Sequence, residues 1–201
     1  KYGMPIGHAT RDIAPGEHVH TQNVATDLQG ETAFTYAPDF GTVEQAPSPM
    51  FLGYRRPDGQ VGIRNDVWVV PTVGCVNALA EKLAADCGGF ALTHPYGCSQ
   101  LGTDLDTTAD LLAALAHNPN AGGVLVVGLG CENNTLDGMR ERIGGAPLNV
   151  RYMKAQEPGD EVKRGRALVA ELLKDRVSER TEVPAAALRV GLKCGGSDGL
   201  S

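Results

Sequence analysis

Most short motifs that announce a function are missing from this 201-residue chain. No CxxC pair occurs among the five cysteines, which speaks against a zinc ribbon or finger. There is no P-loop, no GxSxG elbow and no HExxH. GLGCEN follows an apolar run as a dinucleotide fingerprint would, but its GxGxxG is incomplete and Glu132 comes too soon after it. No apolar run approaches the roughly 20 residues that span a bilayer, and no signal peptide is visible. A membrane partner is therefore not expected, and a cytoplasmic location is. Basic charge is also short: 18 Lys and Arg against 24 Asp and Glu leave a net charge of −6. A nucleic-acid partner needs a basic face, so that class is set aside. Aromatics are scarce at 5%, beside a 42% hydrophobic content that is ordinary for a soluble α/β protein. An odd cysteine count, in a chain too large to need a disulfide framework, favours reduced thiols.

What the chain does contain is one phrase, written four times. A buried apolar run ends in a glycine turn with a cysteine in or beside it: VWVVPTVGCVN, FALTHPYGCSQ, VLVVGLGCENN and LRVGLKCGGSD. If these strands lie parallel, Cys75, Cys98, Cys131 and Cys194 emerge at one edge of one sheet, where open α/β sheets bind ligands. Any one such cysteine reads as a small hydrophobe at a tight strand end, whereas four together read as a site. Cys87, before Gly88-Gly89 at a helix end, stands apart as structural.

Between the turns the pattern alternates. The spacing predicts strands over 67–73, 90–93, 124–129, 148–153 and 188–192, and helices over 77–87, 107–117, 136–143 and 160–176. This rhythm predicts an α/β fold, a parallel Rossmann-like sheet flanked by helices and joined by right-handed crossovers. Before it, FLGYRRPDGQVGIRNDVWVV predicts a hairpin turning at Pro57-Asp58-Gly59. Residues 31–50, polar and broken by proline and glycine, read as a linker. Residues 1–30, with short apolar alternations and Pro15-Gly16, read as a small β module. In it, His18 and His20 flank Val19 and would share one strand face, on spacing alone a solvated face.

The turn residues carry the candidate chemistry. Cysteine and histidine suit a soft or borderline metal, and amides with glycine N–H groups suit hydroxyls and a carboxylate. On residue chemistry, His94, His20 and Lys193 are the catalytic candidates. Arg64, Asn77, Gln100, Glu132, Asn133, Ser197 and Asp198 are the substrate-binding candidates, with Arg64 or Lys193 for a carboxylate. Cys75, Cys98, Cys131 and Cys194 are the candidate metal ligands.

YRRPDGQVGIRNDVWVVPTVGCVNALA, HPYGCSQLGTD, HNPNAGGVLVVGLGCENN and GLKCGGSDGLS resemble the altronate dehydratase family of sugar-acid dehydratases, which includes galactarate dehydratase. KYGMPIGHATRDIAPGEHVHTQN resembles the end of the small β-clip (SAF) module that such enzymes carry. The resemblance implies dehydration of D-altronate to 2-dehydro-3-deoxy-D-gluconate in hexuronate catabolism. It also implies Fe2+, with Mn2+ or an iron–sulfur cluster as alternatives. Gln22 departs from the pattern, standing where a third histidine is common. The implied domains are the C-terminal part of a β-clip module over 1–30, a linker over 31–50 and an α/β domain over 51–201. The start on Lys1 without methionine and the stop at Ser201 fit a fragment of a longer protein, one expected to be inactive in isolation. The implied partner is a small sugar acid, and assembly into a homo-oligomer is left open. Two rivals remain: a related lyase acting on galactarate or sulfolactate, and a non-catalytic binding or assembly module.

Overall fold

The computed structural model describes residues 7–27, 41, 47–145, 149–193 and 195. The chain divides into two compact units, Lys1–Gln45 and Ala46–Ser201. Of the expected linker over 31–50, only residues 41 and 47–50 are among those described.

In the small unit β1 (Gly7–Ala9) pairs antiparallel with β2 (Val24–Thr26), Gly7 opposite Thr26. Two three-residue strands are too short to be stable alone, and the connecting loop is fastened by a side chain. Asn23 is fully buried; its Oδ1 accepts from His20 N–H at 2.9 Å and its Nδ2 donates to His18 O at 2.9 Å. Gln22 Nε2 donates to the same carbonyl at 2.9 Å, so the departure at Gln22 has a local structural use.

The large unit opens with the expected hairpin, β3 (Met50–Arg55) and β4 (Val61–Gly62), antiparallel across the Pro57-Asp58-Gly59 turn. The four-stranded parallel sheet follows. It comprises β5 (Asp66–Pro71), β6 (Phe90–Ala91), β7 (Ala121–Gly128) and β8 (Val150–Lys154), in the order β6-β5-β7-β8. All eight residues of β7 are buried, as expected for a central strand covered on both faces. Helices α1 (Asn77–Cys87) and α4 (Glu161–Asp175) cover one face through Ala80, Leu83, Val169 and Leu172. Helices α2 (Gly102–Leu115) and α3 (Leu136–Ile143) cover the other through Ala109, Leu112, Met139 and Ile143. Gly165 lets α1 and α4 cross closely, because a Cβ there would lie 2.5 Å from Leu83 Cδ1.

One expected strand is absent. Residues 188–192 form no strand, and the last strand among the described residues is β9 (Thr181–Pro184), antiparallel to β3 in a three-stranded sheet ordered β4-β3-β9. The segment 187–191 instead lines a groove of roughly 750 Å³ with residues 58–61 and 118–120, beside the hairpin and the start of β7. Lys193 comes only two residues after this groove, so it cannot join the turns at the opposite ends of the strands. Cys194, Ser197 and Asp198 lie outside the described residues.

The hairpin is fastened to the N-terminal edge of the parallel sheet by Arg56, which is only 3% exposed. Its Nε donates to Pro119 O at 2.8 Å, Nη1 to Asn65 Oδ1 at 2.9 Å and Nη2 to Arg64 O at 3.0 Å. Burial pulls its pKa below the ordinary arginine value, against the opposing pull of Tyr54 and Asp58. This arginine is internal structure.

Candidate active site

The strand order sets where a site can form. From β5 the chain goes to β6 on one side and then crosses to β7 on the other, so the C-terminal ends of β5 and β7 flank the switch point. Thr72 follows β5, and Glu132 and Asn134 follow β7; all three are buried, and Thr72 bonds to both of the others. Thr72 Oγ1 donates to Glu132 Oε1 at 2.9 Å, and Asn134 Nδ2 donates to Thr72 O at 3.0 Å. Leu129 N–H at 3.1 Å and Gly130 N–H complete the shell of Glu132. Burial alone would raise the Glu132 pKa. Hydrogen bonds from the backbone of Gly130 and of Glu132 itself, from Thr72 and from Leu129 outweigh burial and hold it below the usual carboxylate value.

The third turn is fastened to the same strut. Asn134 N–H donates to Gly97 O at 3.1 Å, and Ser99 N–H donates to Asn133 Oδ1 at 3.2 Å. Gly97 N–H donates to Gln100 Oε1 at 2.9 Å, while Gln100 Nε2 reaches Asp104 at 2.9 Å and Thr108 at 3.0 Å. Gly97 has φ +96°, and a Cβ there would lie 2.1 Å from Thr72 O; no other residue fits. Ser99, among the described residues the one non-glycine with positive φ, at +60°, sits at the tip of this turn, the kind of strain that clusters at functional sites.

Three of the four cysteine turns therefore meet where the sequence places them. Cys75, Cys98 and Cys131 are all free and exposed at the C-terminal edge. Among the described residues, however, no three His, Cys, Asp or Glu side chains gather to hold a metal ion. The expected Fe2+, its Mn2+ alternative and an iron–sulfur cluster thus find no ligand set within these residues.

His94 is committed to the scaffold rather than free. Its Nε2–H donates to Pro71 O at 2.9 Å and its Nδ1 accepts from Tyr96 N–H at 3.1 Å, so one neutral tautomer is fixed and both nitrogens are engaged. Glu132 and Gln100, expected to bind hydroxyls, are likewise turned inward as struts. Asn77 fits its expected role better: Nδ2 donates to His94 O at 2.9 Å, while Oδ1 is buried without a partner. Asn133 accepts through Oδ1, and its NH2 has no partner among the described residues. Arg64 precedes β5 and so lies at the opposite edge, about 20 Å of strand away. His20 belongs to the small unit; its ring stacks on His18 with centroids 5.6 Å apart, and its Nδ1 lies 3.1 Å from Thr21 Oγ1. Cys87, as expected, is structural: its thiol donates to Ala84 O at 3.3 Å, and burial raises its pKa.

Thr72 and Lys154 were not singled out by the sequence. Lys154 ends β8 in register with Gly128, and its Cδ lies 3.4 Å from where a Cβ on Gly130 would be. It has no ion-pair partner among the described residues, so a free cation stands beside the Cys131 turn. A lysine at the end of the fourth predicted strand was the available signal.

Family models cover most of the chain. Residues 53–176 match the second domain of D-galactarate dehydratase/altronate hydrolase, and residues 1–27 match the altronate/galactarate dehydratase SAF domain. The chain belongs to the D-galactarate dehydratase/altronate hydrolase family. Over its whole length it is 44% identical to an altronate dehydratase of Bacillus subtilis and 42% identical to one of Escherichia coli. It spans 43% of the length of each. The beta subunit of a (2R)-sulfolactate sulfo-lyase from Chromohalobacter salexigens is 36% identical over 75% of this chain and 39% of its own length. Membership accounts for both units: the two-stranded piece with Asn23 at its centre is the SAF portion, and the sheet with its cysteine turns is the second domain of this family.

Proposed function

We propose that the whole protein is an altronate dehydratase, a hydro-lyase that converts D-altronate to 2-dehydro-3-deoxy-D-gluconate. The supporting observation is 42–44% identity to altronate dehydratases along the entire chain. The reaction breaks the C2–H and C3–O bonds, releases water and leaves an enol that tautomerises to the 2-keto acid. A proton next to a carboxylate is only weakly acidic, so charge developing on that carboxylate must be held as the proton leaves.

Lys154 is assigned to the carboxylate, replacing Arg64 and Lys193 in that role. The free amide of Asn133 and the orphaned Oδ1 of Asn77 take sugar hydroxyls, a donor and an acceptor on one edge. The thiols of Cys98 and Cys131 form the walls between them. Thr72, Glu132, Asn134 and Gln100 hold these groups in place and touch no substrate. Both ring nitrogens of His94 are bonded, so His94 is assigned to positioning the turn rather than to proton transfer.

The test is an assay of the whole enzyme with D-altronate, galactarate and sulfolactate, following 2-keto-3-deoxy acid and sulfite. Turnover of D-altronate well above the others is expected. Preference for sulfolactate would favour the related lyase instead, a reading to which the 36% identity to a sulfo-lyase subunit lends support.

A further inference from the structure

We propose that the N-terminal edge of the parallel sheet, opposite the cysteine turns, binds a small multiply charged oxyanion, either a phosphate ester or a polycarboxylate. A cleft of roughly 330 Å³ opens there, lined by Tyr54, Arg64, Asp66, Arg176, Ser178 and Arg180 among others. Arg56, itself internal, fixes two of the lining residues through its bonds to Asn65 and Arg64. Three guanidinium groups thus line one cleft in a chain whose net charge is −6, and among the described residues Asp66 is the one carboxylate lining it. That carboxylate neutralises little, since Arg64 Nη1 and Asp66 Oδ2 are 4.0 Å apart and the Arg64 side chain is 62% exposed.

These arginines are held in place without being neutralised. Arg176 Nη1 donates to Asn65 O at 2.9 Å, and Arg180 Nη2 lies 3.5 Å from Ile63 O. The guanidinium of Arg180 also lies 5.0 Å from the Tyr54 ring centroid, and that of Arg64 lies 5.8 Å from the Phe90 ring centroid. Carbonyl oxygens and ring faces orient a guanidinium but leave its charge and most of its five donors available. Like charges lining one cleft repel one another until an anion sits among them. The guanidinium fork matches the paired oxygens of carboxylate and phosphate, and Ser178 adds a hydroxyl. Arg64, drawn from the sequence as a carboxylate ligand, keeps that chemistry at a different place.

Calorimetric titration of the whole protein with inorganic pyrophosphate and with citrate, at fixed ionic strength, tests the site. Saturable binding is expected. Stronger binding of pyrophosphate would mark a phosphate site, and stronger binding of citrate a polycarboxylate site. In Arg64→Gln/Arg180→Gln the affinity should fall at least tenfold. Arg64→Lys/Arg180→Lys, which keeps charge but loses the fork, should bind with intermediate affinity and serves if the glutamine pair does not fold. No saturable binding by the wild-type protein, or unchanged affinity in the substituted proteins, would overturn the proposal.

Discussion

The two edges of one parallel sheet are built on opposite principles. At the C-terminal edge, three glycine-cysteine turns are laced together by hydroxyl, amide and N–H groups around one buried carboxylate, Glu132. At the N-terminal edge, arginines are pinned by main-chain carbonyls and one asparagine side chain, and their charge is left largely unmatched. The first arrangement fixes the backbone and presents small exposed groups such as Cys131 and Asn133. The second fixes the side chains and presents charge. A strut that satisfies every polar atom yields geometry; one that satisfies only some yields a field.

The sharpest way to break the comparison is Gly97→Ala. The added Cβ would meet Thr72 O in a backbone conformation disfavoured for alanine, so a stability loss of about 3 kcal/mol or more is expected in urea denaturation. Next is Glu132→Gln, which sets an NH2 group among donors that need an acceptor; on the order of 2–3 kcal/mol is expected. Glu132 also has a pH signature. Its folded pKa is lowered, so its contribution is complete above the unfolded value and disappears as pH falls through the folded one. The wild-type protein should therefore lose stability on acidification more steeply than Glu132→Gln, as read from thermal midpoints between pH 7 and about pH 3.

Much of the C-terminal edge was legible in the sequence because its parts are local. Each glycine-cysteine turn follows its own apolar run, and the alternation of strand and helix stacks those runs in parallel. The roles within the turns were not legible. Glu132 and Gln100 have the chemistry of ligands, and only their bonds to Thr72, Asp104 and Thr108 mark them as struts. The apparent strand at 188–192 misled for a different reason. Leu188, Val190 and Leu192 alternate as a strand would, yet Val190 is 75% and Leu192 93% exposed. The real last strand, Thr181–Pro184, buries only Val183 fully and so hides among polar residues. At the N-terminal edge the hairpin was legible from its Pro57-Asp58-Gly59 turn, but its fastening was not, since Arg56 finds Pro119 only through the fold.

Smaller effects sharpen the contrast. Arg56→Lys cannot reach three acceptors at once, and a loss of about 1–3 kcal/mol in denaturation is expected. Cys98→Ser and Cys131→Ser alter exposed side chains and should leave stability within about 0.5 kcal/mol, whatever they do to turnover.

The most direct test of the C-terminal edge as the reacting site is D-altronate dehydration by the whole enzyme carrying Lys154→Gln or Asn133→Ala. Both residues are predicted to lower kcat/KM at least a hundredfold while the thermal midpoint stays at the wild-type value. Wild-type kcat/KM in both variants would contradict that assignment.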